Sequence, residues 1–218
     1  MNDSQRAAWD RHRDHFLIDV PAAEMDTSIA DDAHVDWDAV FGRRAPRIVE
    51  IGSGNGDSLV PMAAARPESD FIAFEVFPPG IASTMGRLGR EGVGNVRIVP
   101  ANGAQGLAVL FDDDSLTELW TFFADPWRKT RHHKRRLVSP AFADKVARVL
   151  KPGGQLHIWH TDSREAINQI HAKIKDPTIA SDVLPPAEEV ADVLKKAGFT
   201  VSQAAESAKD YLVTARKP

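Results

Sequence analysis

The chain has 218 residues, 43% hydrophobic and 27% charged, with a formal net charge of -4 and no cysteine. That length suits one α/β domain with a sizeable core, and no apolar run approaches the ~20 residues that span a bilayer. The missing cysteines exclude disulfides, thiolate nucleophiles and cysteine-ligated metals, and the polar start Met1-Asn2-Asp3-Ser4-Gln5 has no apolar signal-peptide core, so a cytoplasmic protein is expected.

In chain order, Gln5 to Phe16 reads as a helix with Trp9, Phe16 and Val20 roughly on one side. Asp19 to Val40 holds seven acids and no Lys or Arg, which predicts a solvated connector with local mobility. From Arg47 the chain alternates strand and helix. Strands are predicted over Ile48 to Ile51, Phe71 to Val76, Val96 to Val99, Leu119 to Phe123 and Gln155 to His160. Helices are predicted over Asp57 to Arg66, Ile81 to Arg90, Lys134 to Leu150 (bent or restarted near Pro140), Arg164 to Ile174 and Pro186 to Ala197. Lys151-Pro152-Gly153-Gly154 reads as a turn. Two last β runs, Phe199 to Ala204 and Tyr211 to Ala215, are joined by about six residues, too few for a parallel crossover, and should pair antiparallel. The expected fold is therefore α/β: a doubly wound, mostly parallel seven-stranded sheet with an antiparallel last strand. Residues 1–45 form the N-terminal helix and acidic connector, and 46–218 the single domain.

Charge is unevenly spread. Six Lys/Arg fall between Arg128 and Arg136, leaving -10 for everything else. The block Asp125-Pro126-Trp127-Arg128-Lys129-Thr130-Arg131-His132-His133-Lys134-Arg135-Arg136 follows an apolar strand directly. Such a block needs water, carboxylates or phosphates around it. It reads either as a polyanion surface beside a pocket or as a solvated helix face.

Glu50-Ile51-Gly52-Ser53-Gly54-Asn55-Gly56 lies between the first strand and helix, where ligands bind in such sheets. Gly52, Gly54 and Gly56 give G-x-G-x-G, whereas a dinucleotide fingerprint wants G-x-G-x-x-G. Glu75, at the end of the second strand, is placed to accept both hydroxyls of a ribose. Asn102, after the third, is placed to bond a nucleobase edge, and Glu50 to meet an ammonium. An adenosine without phosphates points to S-adenosylmethionine over NAD. The plainer alternative is a tight glycine turn beside a surface acid.

Together these residues resemble the tRNA (guanine-N7)-methyltransferase family, a branch of the class I (Rossmann-like) methyltransferases. The likeness runs from about Phe41-Gly42-Arg43 to Asp162 and rests on the glycine loop, Phe74-Glu75-Val76, and above all the Asp125 to Arg136 block. The resemblance implies cofactor roles for Glu50, Glu75 and Asn102. It places Asp125 between cofactor and guanine, Lys129 and Asp162 against substrate, and Arg131, His132, Lys134, Arg135 and Arg136 towards RNA. S-adenosylmethionine is the implied cofactor, tRNA the implied partner, and N7-methylguanosine in the tRNA variable loop the implied product. Ala124 stands where the family usually writes proline. A Thr-x-Phe-Glu segment of the family has no counterpart near the C-terminus, where only Glu206 lies between Phe199 and Pro218.

Guanine N7 offers a lone pair and no proton, so methyl transfer to it needs positioning more than a strong base. Asp125 can hold the guanine N–H edge and favour the positive charge that grows on the base, or it is a turn acid before Pro126. Trp127 stacks on a base or packs under its loop. No metal is expected: His132-His133 are adjacent, and His157 and His160 sit three apart on a strand and so point to opposite faces. Two rival readings are a diverged paralogue acting on another RNA or a small molecule, and a non-catalytic RNA-binding protein.

Overall fold

A computed structural model describes residues 1–24, 27–122, 138–173 and 183–218 of the chain. Its centre is β1, Arg47–Ile51, flanked by β2, Asp70–Phe74, and β4, Leu116–Phe122. β1 and β2 are buried at nearly every position because both their faces are covered. β3, Val96–Val99, lies outside β2, and β5, Leu150–His160, outside β4. β6, Thr200–Glu206, and β7, Tyr211–Arg216, complete a seven-stranded sheet of order β3-β2-β1-β4-β5-β7-β6. β7 runs antiparallel to both neighbours and wedges between β5 and β6, so β6 alone forms that edge. The expected doubly wound sheet is present, and the antiparallel pairing of its last two strands with it.

Right-handed crossovers put the helices on two faces. One face carries α1, Asp3–Phe16, α3, Leu59–Ala65, and α4, Pro78–Glu91, packed over Ile48, Phe71, Ala73, Ile98 and Trp120. The other carries α2, Trp37–Phe41, α5, Gly103–Val109, α6, Pro140–Val149, and α8, Ala187–Lys196, over Val49, Ile72, Phe74, Leu119 and Val213. α7, Arg164–Lys173, follows β5. No helix among the described residues is long and apolar enough to cross a membrane.

Several elements depart from the sequence expectation. The acidic segment is not solvated throughout: Ile29, Ala33 and Trp37 are buried, with Asp36 capping α2. Trp37 stacks on Phe111 at 5.3 Å between ring centroids, and its Nε1 donates to Leu110 O at 2.8 Å. Burying apolar side chains of this size contributes about 2–3 kcal/mol each, enough to pin a chain whose charge pattern alone argues against packing. α5 was not foreseen, since Gly103 and Gly106 are poor helix formers. They are there because of packing: a Cβ at Gly103 would lie 2.8 Å from Ile51 Cγ2, and one at Gly106 would enter the Phe74 ring. α4 begins at Pro78, three residues before the expected start, its first turn pre-set by proline φ angles. α6 starts at Pro140 with Ser139 as cap. Lys151 to Gly154 belong to β5, where a reciprocal pair, Gly153 N to Lys217 O and Lys217 N to Gly154 O, carries the chain through the glycines.

Candidate active site

The loop after β1 turns on three left-handed glycines: Gly52 at φ 79°, Gly54 at 54° and Gly56 at 75°. A Cβ costs energy at each, so glycine is the residue that makes this turn without strain. α4 closes against the loop from one side. A Cβ at Gly80 would lie 2.7 Å from Gly54 O, and one at Gly56 2.8 Å from Thr84 Cγ2. Thr84 Oγ1 donates to Gly54 O at 3.2 Å, and Arg87 pairs with Asp57 at the head of α3. Gly80 and Thr84 were not singled out in the sequence. A glycine inside a helix directly after Pro78-Pro79 is the signal that could have found the first of them.

Glu75 ties the loop to the end of β2. Its Oε2 accepts from Gly54 N at 2.7 Å, and its Oε1 from Val76 N at 2.7 Å and Phe77 N at 2.8 Å. These three bonds orient the carboxylate and leave about one of its roughly four acceptor sites open.

Glu50 stands opposite in character. It is 2% exposed, and its Oε2 has no hydrogen-bond partner. Burial, reinforced by the nearby charge of Glu75, pushes its carboxyl up to about 8. Ser53, in the loop itself, is 8% exposed and its Oγ is also without a partner. Orphaned buried polar atoms carry a desolvation cost of about 1–3 kcal/mol each, which a ligand supplying donors relieves. Two of them sit beside a glycine loop where Gly52 and Gly54 leave open space at the Cβ position. Both atoms are open to a donor that a bound group could bring.

Asn102 caps α5, its Oδ1 accepting from Gln105 N at 3.2 Å, while its own N–H donates to Thr27 O at 2.8 Å. The cap occupies the oxygen and leaves Nδ2 as the group to face a ligand. Asp162 is exposed just past β5. β5 lies two strands from β1, about 10 Å away, so the end of β5 that leads into Asp162 is on the same sheet edge as Glu50. Asp125, Trp127, Lys129, Arg131, His132, Lys134, Arg135 and Arg136 fall outside the described residues.

Glu206 is committed elsewhere. Its Oε2 accepts from Arg164 Nε at 2.8 Å and its Oε1 from Ala187 N at 2.6 Å, at the start of α8. Beside it Tyr211 is fully buried with its hydroxyl unpartnered, and burial, reinforced by Glu206, raises its pKa.

A family model described as "Putative methyltransferase" matches residues 44–197. A Burkholderia pseudomallei tRNA (guanine-N(7)-)-methyltransferase is 38% identical over 188 residues, covering 85% of this chain and 67% of that protein. The chain belongs to the tRNA (guanine-N7)-methyltransferase family. A relative of the same printed name from Paenarthrobacter aurescens is 47% identical over 168 residues, which is 77% of this chain. The match spans 56% of that relative, about half its length. Among solved structures, a 16S rRNA (adenine(1408)-N(1))-methyltransferase from Catenulisporales acidiphilia superposes with a TM-score of 0.59 at 16% identity, covering 83% of this chain and 89% of that one. A SAM-dependent methyltransferase from Aquifex aeolicus gives 0.56 at 18%, covering 82% and 86%. At such identities these neighbours establish the fold, that of the class I methyltransferases.

Proposed function

We propose that the protein transfers a methyl group from S-adenosylmethionine to N7 of a guanine in tRNA, acting in the cytoplasm. The observation that carries this reading is the 38% identity to the Burkholderia pseudomallei enzyme over most of both chains. The site supports it independently. A carboxylate held by three backbone N–H groups suits a ribose, and Asn102 Nδ2 suits an adenine edge. The unpartnered Glu50 Oε2 and Ser53 Oγ suit the ammonium and carboxylate end of a methionine. Residues present and cofactor therefore fit. When bound, the cofactor supplies an electrophilic methyl group on a sulfonium.

The chain's own contribution is binding and alignment. The glycine loop brings backbone close to the ligand, and α4, locked by Thr84 and Arg87, holds the loop in one shape. Asp125, three residues past the end of β4, is proposed to hold the guanine N–H edge and so align N7, whose lone pair carries no proton and needs no base. Trp127, Lys129, the basic residues Arg131 to Arg136 and Asp162 are proposed as the RNA side of the site. Residues 46–218 then form the methyltransferase domain, with 1–45 as an N-terminal addition.

The test is direct: incubate the protein with S-adenosylmethionine and unmodified bulk tRNA, digest, and search for N7-methylguanosine by mass spectrometry. Its formation is expected. Its absence while the cofactor still binds would sink the tRNA reading and favour a paralogue with another substrate.

A further inference from the structure

α1 and α4 lie side by side with their N-termini at the same end of the sheet. Gln5 Nε2 donates to Pro79 O at 3.2 Å and to Ser83 Oγ at 3.1 Å. Further along, Ala8 meets Gly86, and the His12 ring covers Gly89 so closely that a Cβ there would enter it. Beside these contacts the helices leave an open cleft of about 330 Å³, lined by Ser4, Arg11, His12, Gly86, Gly89 and Arg90 among others.

The charge in this cleft is unusual for an acidic chain. Arg90 folds back along α4, its NH1 3.5 Å from where a Cβ on Gly86 would stand, so the bare glycine gives the guanidinium its place in the cleft. Neither Arg90 nor Arg11 is ion-paired with an acid among the described residues; Arg44, Arg97 and Arg216 share that state, but Arg11 and Arg90 line one cleft. Of the acids of α1, Asp14 is nearest to Arg11, three residues on and about 60° round the helix, but it pairs with Arg13; Asp3 pairs with Arg6, and Asp10 lies about 100° from Arg11. Glu91 lies about 100° round α4 from Arg90 and pairs with neither arginine. Two like charges held in one cleft repel each other until an anion sits between them. The guanidinium fork matches phosphate oxygens, and the Ser4 hydroxyl and His12 ring add polar groups at the walls.

We propose that this cleft is a second RNA-contact site, seating a backbone phosphate between Arg11 and Arg90. It rests on the reading that the substrate is tRNA. Gly86 to Arg90 lie 8 to 12 residues along α4 from Pro78, about 12–18 Å from its first turn, a span that a few nucleotides cover. The site would grip RNA on the α1/α4 flank.

The experiment measures tRNA affinity across a salt series for the parent protein, the double variant Arg11→Gln/Arg90→Gln, and the charge-preserving Arg11→Lys/Arg90→Lys. Each engaged phosphate contributes roughly 0.7 to 0.9 to the slope of log K against log salt, so the Gln variant, losing the one phosphate seated there, should lose about 0.7 to 0.9. The Lys variant should keep most of the slope, and cofactor affinity should match the parent in both. A Gln variant with the parent's slope overturns the proposal. Equal losses in the Gln and Lys variants also overturn it, because they would reflect packing and not charge. A parent that binds tRNA with no salt slope overturns both this site and the tRNA reading. A slope that falls as expected in a protein forming no N7-methylguanosine keeps the phosphate site and removes the methylation reading alone.

Discussion

Two carboxylates at the same edge of the sheet end up in opposite situations. Glu50, at the end of β1, is sealed from solvent with an oxygen lacking any partner, whereas Glu206, at the end of β6, has an arginine on one oxygen and a helix N–H on the other. Both are glutamates closing a strand, and nothing in residue type separates them. What separates them is satisfaction. A buried acceptor left open costs free energy in the unliganded protein and is retained where a ligand completes it, while a satisfied one holds the fold together. Glu75 lies between these extremes, with backbone donors that fix its orientation and about one acceptor site to spare.

Breaking the β1/β2 side should produce the largest effect. Glu75→Ala strips acceptors from three backbone N–H groups and removes the proposed ribose contact. Cofactor affinity measured by calorimetry should fall a hundredfold or more, with a loss of about 2–4 kcal/mol in denaturant unfolding. Gly80→Ala comes next. Its Cβ meets the backbone oxygen of Gly54, which cannot rotate away, so α4 must shift. A cost of about 1–3 kcal/mol and at least tenfold weaker cofactor binding are expected, while Gly94→Ala, with open space around it, should leave cofactor binding unchanged.

Glu50 gives the comparison a pH signature. Its folded-state pKa of about 8 lies above the ordinary value of 4.5, so between these limits the folded protein holds a proton that the unfolded chain has lost. This contribution to stability is complete below about pH 4.5 and is lost as pH rises towards 8, at up to about 1.4 kcal/mol per pH unit. Glu50→Gln should flatten that part of the stability–pH curve. A cationic ligand reverses the preference, so cofactor binding in this window should tighten with pH and release a proton. Calorimetry in buffers of different ionisation enthalpy would reveal the proton, and an unchanged enthalpy across buffers would refute the coupling.

The smallest effect belongs to the β6 side. Glu206→Gln keeps the shape but weakens the Arg164 pair and the contact with Ala187 N. The melting temperature should fall by only a few degrees, with cofactor affinity within about twofold of the parent. A large loss of cofactor affinity here would erase the contrast with Glu50 and make Glu206 part of the binding site.

Where the sheet lies was legible from residues alone. β-branched runs such as Ile48 to Ile51, stopped by glycine, announce strands, and the spacing of Gly52, Gly54 and Gly56 separates this loop from a dinucleotide fold. These signals are local, written in residues adjacent along the chain. The membership of β5, the helix at Gly103 to Val109 and the anchoring of Trp37 were not legible in the same way. Each depends on a partner far along the chain: Lys217 for Gly153, Phe74 for Gly106, Leu110 and Phe111 for Trp37.

The division is therefore between pattern and satisfaction. Periodicity and glycine spacing determined the fold class, and charge placement the basic block along the chain, because steric and hydrophobic preferences act over a few residues. Which carboxylate stays open, which is tied into the scaffold, and which arginines stand unpaired between α1 and α4 were decided only by the tertiary structure. Those outcomes hang on donors and acceptors that three-dimensional packing brings within hydrogen-bond reach, or keeps out of it.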